Sequence, residues 1–167
     1  MNLGVAMHRV VVLGRGGAGK STLAAQLERL TALPVIELDA HFWSPELAPL
    51  PPGEWATRQR RLVADPRWIL DGDLGPYDAP EIRLQAADTV LVLDFPLWRC
   101  AWRTGRRGRE KLDFWRWILG YRRRYLPRTK AAIAANAPGA EVHFLRSPRD
   151  VERFLAAVRD SGHRDSR

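Results

Sequence analysis

The sequence predicts an α/β fold, a parallel β-sheet covered by helices on both faces. Three observations carry that prediction. Five short apolar runs alternate with helix-like segments. The runs are nearly continuous in apolar character, as in strands buried on both faces, instead of alternating. The first run passes through a glycine-rich turn straight into a helix. The chain has 167 residues and no internal repeat, low-complexity tract or linker, so one domain is expected over 1–167.

In chain order, Arg9–Leu13 is a β-branched strand, and the helix-like Lys20–Leu30 follows the glycine turn. Val35–Leu38, after Pro34, is a second strand ending at Asp39. The proline-rich stretch 44–53 is a loop, and Glu54–Ala64 reads as a helix. Arg67–Leu70 is a third strand, closed by the Asp71-Gly72-Asp73 turn, and Asp88–Phe95 is the clearest buried strand. Helical patterns follow at about 97–107 and 112–125. Glu141–Leu145 is a fifth strand, and Arg149–Arg159 a closing amphipathic helix.

Charge narrows the function classes. The chain carries 27 Lys+Arg against 19 Asp+Glu, net +8, and all but three of the cations (Lys20, Lys111, Lys130) are arginine. The excess is local. Residues 99–130 hold 12 basic and two acidic residues, net +10, and the remainder holds 15 basic and 17 acidic, net −2. A single cationic segment on a near-neutral body suggests a local anion site more than a nucleic-acid coat. The one cysteine, Cys100, cannot form an internal disulfide, and no run reaches the roughly 18 apolar residues of a membrane span. A soluble, cytoplasmic protein without membrane contact is expected.

Gly14-Arg15-Gly16-Gly17-Ala18-Gly19-Lys20-Ser21 matches G-x-x-x-x-G-K-[ST] in full, between a strand and a helix as the motif requires. Gly14, Gly16, Gly17, Ala18 and Gly19 let the backbone turn its N–H groups toward phosphates at a helix N-terminus. Lys20 bridges the terminal phosphates, Ser21 ligates Mg²⁺ and Thr22 adds a hydrogen bond. The motif implies ATP and Mg²⁺ and leaves the reaction open among kinases, GTPases and motor ATPases. No Asn-Lys-x-Asp guanine-reading sequence is present, so a small kinase is the economical choice.

The motifs occur in a telling order. After the glycine loop come residues 33–43 (LPVIELDAHFW), 68–72 (WILDG), 87–96 (ADTVLVLDFP), 114–118 (FWRWI) and 145–147 (LRS). From Arg9 to about Ala157 this order resembles the adenylate-kinase-like branch of P-loop kinases and, within it, bacterial DNA topology modulation proteins. The resemblance implies strand order 2-3-1-4-5, an acceptor region at about 39–64 and a short arginine-rich lid at about 103–113. Asp73-Leu74 stands where that family usually has Asn-Tyr.

Three acids fall at strand ends, where ligands bind in open α/β sheets. By resemblance Asp39 contacts or deprotonates the acceptor and Asp71 helps hold Mg²⁺. Asp94 ends its strand in Walker-B fashion and is a further metal candidate. For each, the alternative is a cap on the following turn or helix. Arg99, Arg103 and Arg106 share one helical face. The resemblance sets Arg103 near adenine and Arg106, Arg107 and Arg109 in the lid. Arg116, Arg122, Arg123, Arg124 and Arg128 form a second cationic set, with the helix-breaking Pro127 between Arg124 and Arg128. Arg103, Arg107 and Arg124 are the candidates for gripping the travelling phosphoryl group; a solvated arginine face is the alternative. Ser147 lies in a loop resembling the one that touches adenine.

The acceptor is then a nucleotide or another small molecule between Asp39, the proline-rich loop and Asp71. Arg58, Arg60 and Arg61 suit a monophosphate, and Trp43 and Trp55 a less polar compound. The competing class is an ATP-gated DNA-binding protein, in which the +10 segment with Trp115, Trp117, Tyr121 and Tyr125 supplies charge and stacking. The near-neutral remainder makes nucleic acid the weaker partner.

Overall fold

The computed structural model describes residues 7–44, 48–74, 79–96 and 120–162. Five strands, β1 (Arg9–Gly14), β2 (Val35–Glu37), β3 (Trp68–Asp71), β4 (Thr89–Leu93) and β5 (Glu141–Leu145), form one parallel sheet in the order β2-β3-β1-β4-β5. The described helices are α1 (Lys20–Thr31), α2 (Leu38–Phe42), α3 (Pro52–Leu62), α4 (Glu81–Ala86), α5 (Leu126–Asn136) and α6 (Pro148–Gly162). A π-helical turn, Tyr121–Tyr125, runs directly into α5.

The period-two geometry of β1 divides the core. Val10 and Val12 face a layer with Leu23 and Leu27 of α1 and Phe154 and Val158 of α6. Val11 and Leu13 face the other, with Trp55 of α3, Leu84 of α4, Ile133 of α5 and Tyr121. Both faces are therefore covered, as the continuous apolar runs predict. At the amino edge, the Asp88 carboxylate accepts the Arg9 N–H (2.8 Å) and the Thr89 hydroxyl (2.9 Å), fastening β1 to β4.

Several elements depart from the sequence reading. Leu38 and Asp39 leave the strand and open α2, because Leu38 and Phe42 bury as an i, i+4 pair. Helix α3 starts at Pro52, two residues before the expected Glu54. A proline in the first turn has no N–H to satisfy there. Helix α4 is additional; its six residues offer too little periodicity to read. The largest correction concerns Pro127. It does not end a helix but sits in the first turn of α5, after a π-helical turn whose wider i→i+5 spacing accommodates it. Helicity continues to Asn136. The expected helix at 97–107, the start of the one at 112–125, and the lid at 103–113 lie outside the described residues.

Candidate functional site

The carboxyl edge of the sheet places the glycine loop between β1 and α1. Gly14 has φ 142°, and a Cβ there would meet the Leu93 carbonyl oxygen at 2.7 Å, so β1 and β4 close on a residue without a side chain. Gly17 (φ 74°) and Gly19 (φ 96°) turn the loop through left-handed backbone. Gly19 caps α1 without any side-chain cap, and α1 has no acid in its first turn. Its first amides thus face the loop, as an anion site needs. Lys20 Nζ donates to the carbonyls of Gly14 (2.8 Å) and Arg15 (3.3 Å), so the ammonium rests across the beginning of the loop.

The acids ending β3 and β4 flank this loop. Asp71, 5% exposed, lies beside the Ser21 hydroxyl and within the field of Lys20. Its Oδ1 is buried with no hydrogen-bond partner. Burial pushes its carboxyl above the usual carboxylate range; Ser21 and Lys20 pull it down, and Glu37 and Asp39 add to the rise. A hydroxyl and a buried carboxylate with one oxygen free of hydrogen bonds are donors suited to Mg²⁺. Asp94 is nearly as buried, 7% exposed, but paired. Arg122 Nε donates to its Oδ1 (2.9 Å) and Arg122 Nη2 to its backbone carbonyl (3.2 Å).

A second group sits beneath the loop. Arg15, although inside the motif, is 1% exposed, with its guanidinium over the Tyr121 ring at 5.2 Å. Asp73 Oδ2 accepts long hydrogen bonds from the Gly14 N–H (3.4 Å) and the Tyr121 hydroxyl (3.5 Å). Burial and the Asp73 charge raise the Tyr121 hydroxyl far above its ordinary value. From the sequence Tyr121 is a stacking or core aromatic, and neither Asp73 nor Arg15 carries a legible role. The departure at Asp73-Leu74 was the available signal.

Toward β2, Asp39 is exposed in the first turn of α2 and its Oδ1 accepts from Trp43 Nε1 (3.3 Å). Phe42 stacks edge-on against Trp43 and Trp55, and Trp55 is a core residue. Arg58 is tied to the His41 carbonyl (3.1 Å) and lies 3.9 Å from Glu54; Arg60 and Arg61 are exposed. On the opposite side a cavity of about 220 Å³ opens between α1 and α6, lined among others by Thr22, Gln26, Phe95, Pro148 and Glu152. Ser147, which precedes the lining residue Pro148, has a capping role: its hydroxyl accepts the Asp150 N–H (3.2 Å), and the Asp150 carboxylate accepts the Arg146 N–H (3.0 Å). Arg124 is exposed on the π-helical turn, and Arg103 and Arg107 lie outside the described residues. The structure thus brings together Gly14–Ser21, Asp71 and, through the electrostatics of Asp71, Asp39.

No protein-family model and no curated protein matches the chain. Solved structures do. An unliganded sugar kinase from Janibacter sp. is 23% identical over 92% of this chain and 95% of its own, with a TM-score of 0.58. A shikimate kinase from Acinetobacter baumannii, in complex with shikimate, is 18% identical over 95% and 90% of the two chains, with a TM-score of 0.62. A gluconokinase from Sinorhizobium meliloti is 16% identical over 96% and 98%, with a TM-score of 0.52. The likeness is one of fold, a P-loop kinase fold with the same five-stranded parallel core. No sequence family supports adenylate kinase or topology modulation specifically.

Proposed function

We propose that this protein is an ATP- and Mg²⁺-dependent phosphotransferase acting on a small-molecule or nucleotide acceptor in the cytoplasm, as one domain over 1–167. The observation that carries the reading is the Ser21–Asp71 pair, with its vacant buried oxygen, beside a complete glycine loop and Lys20. The fold shared with sugar, shikimate and gluconate kinases supports it.

In this reading the loop amides and Lys20 hold the β- and γ-phosphates, while Thr22 and the cavity between α1 and α6 receive the rest of the nucleotide beside Ser147. Mg²⁺ would be held by Ser21 and Asp71 and would supply charge neutralisation. Asp94 joins that set only on releasing Arg122. The acceptor lies at about 39–64, where Asp39, oriented by Trp43, takes the proton from its hydroxyl. A bond forms from that oxygen to the γ-phosphorus, and the bond to the bridging oxygen breaks to leave ADP. Arg103, Arg107 and Arg124 grip the travelling phosphoryl group and neutralise its charge.

The test is a coupled ADP-release screen over nucleoside monophosphates, nucleosides and small polyols. At least one acceptor raises turnover above bare hydrolysis, and Lys20→Ala lowers that turnover at least about 100-fold. Acceptor-independent hydrolysis alone overturns the proposal, as does salt-dependent DNA binding undiminished in Lys20→Ala.

A further inference from the structure

Tyr121 lies in the core beneath the glycine loop, and its two ends touch two different parts of that loop's support. The ring carries the Arg15 guanidinium at 5.2 Å. The hydroxyl shares Asp73 Oδ2 with the backbone N–H of Gly14. Gly14 and Arg15 are in turn the two residues whose carbonyls seat the Lys20 ammonium, at 2.8 and 3.3 Å. A chain of contacts therefore runs from Tyr121, through Asp73 and Arg15, to the resting place of the lysine that must meet phosphate.

The same turn is anchored on the other side of β1. Arg122, the next residue, grips both the carboxylate and the carbonyl of Asp94. Gly14 and Leu93 are register partners, so Tyr121 and Arg122 fasten the two adjacent strand ends that frame the loop. The turn is π-helical, a local widening often found where a helix must present particular side chains. Arg15 belongs to this arrangement. A guanidinium 1% exposed against an aromatic face is placed as a brace.

We infer that Tyr121 is a positioning residue for nucleotide binding: with Asp73 and Arg15 it fixes the carbonyls of Gly14 and Arg15 and thereby the seat of Lys20. The inference deepens the proposed function and rests on the loop being a phosphate site. It does not depend on which acceptor is used.

The test compares wild type, Tyr121→Leu and Tyr121→Phe in three measurements: Tm, the affinity for a fluorescent ATP analogue with Mg²⁺, and the rate at which Lys20 is acylated by a limiting amine reagent. Peptide mass spectrometry reads the last against an added lysine peptide. With Tm retained, Tyr121→Leu weakens nucleotide binding by about tenfold and speeds Lys20 acylation by at least about threefold. Tyr121→Phe keeps the ring over Arg15 and loses the hydroxyl that meets Asp73, so both effects shrink to about twofold. A purely structural role would lower Tm and leave Lys20 in the folded protein no more reactive. Unchanged acylation and affinity in Tyr121→Leu overturn the inference. If that variant does not fold, Tyr121→Phe decides: an unchanged Lys20 rate overturns it. If wild type binds no nucleotide, the proposed phosphotransfer falls, and the acylation rates still decide whether Tyr121 seats Lys20.

Discussion

The carboxyl ends of β3 and β4 lie on either side of β1, and each delivers a buried aspartate beside the glycine loop. They are used in opposite ways. Asp71 keeps one carboxylate oxygen buried without a hydrogen-bond partner, with the Ser21 hydroxyl beside it and the Lys20 charge nearby. Asp94 is clamped by Arg122 on both its carboxylate and its carbonyl. A buried acid that no cation clamps in direct contact is unfavourable for the empty fold and available to a metal; a clamped one contributes to the fold and is withheld from a metal. The difference teaches that position at a strand end does not assign a role. The partner does.

The largest expected effect breaks the comparison on the β3 side. Asp71→Asn preserves shape and removes the charge, so turnover falls about 10–100-fold through loss of the metal's support. Its Tm holds or rises, since an unpaired buried carboxylate has been neutralised. The matched substitution at β4 has the reverse profile: Asp94→Asn, or Arg122→Gln, lowers stability by about 1–2 kcal/mol because a charge-assisted hydrogen bond is lost from a half-exposed pair. Chemical denaturation and steady-state turnover on the same preparations separate the two. A stability loss confined to Asp71→Asn would reverse the assignment.

These outcomes bear on what was legible in the sequence. The five strands, the covered sheet and the glycine loop were legible because continuous apolar runs and a full phosphate-loop motif are local signals. Asp71 was legible as an acid ending a strand. Its distinction from Asp94 was not, because Arg122 comes from 28 positions away through a turn whose π-helical form has no strong sequence pattern. Pro127 misled for the opposite reason. It is a strong local signal for a break, yet the residues before it relax into a wider turn and the helix continues. Arg15 falls inside the phosphate-loop motif with no role legible in the sequence, and it is buried against Tyr121.

A third buried ionisable group shows another solution. His143 of β5 lies 3.1 Å from Glu141 Oε1 and packs against Phe154. Burial lowers its pKa below the ordinary histidine value, outweighing the pull of Glu141 in the other direction. The folded form therefore binds fewer protons than the unfolded chain. Its contribution is fully present above about pH 6.5 and is lost as pH falls from there toward the folded value, by at most about 1.4 kcal/mol per pH unit. Urea midpoints at pH 7 and 5.5 should differ less in His143→Gln than in wild type. Equal slopes would mean that burial does not hold His143 neutral.

The smallest effect on stability is expected two residues from the clamp. Arg124 shares the π-helical turn with Arg122 but is exposed. Arg124→Ala should leave stability within about 0.5 kcal/mol. If it acts on the phosphoryl group only as a solvent-screened cation, turnover falls no more than about fivefold, and the deficit shrinks as salt rises. An arginine that meets the transferring group in a water-excluded site is instead worth about a thousandfold or more. Turnover of Arg124→Ala across a salt series therefore separates two functions for one turn. A small, salt-sensitive loss leaves Tyr121 and Arg122 as its working residues, holding the loop from beneath. A large, salt-insensitive loss means that the turn also closes over the phosphates from above.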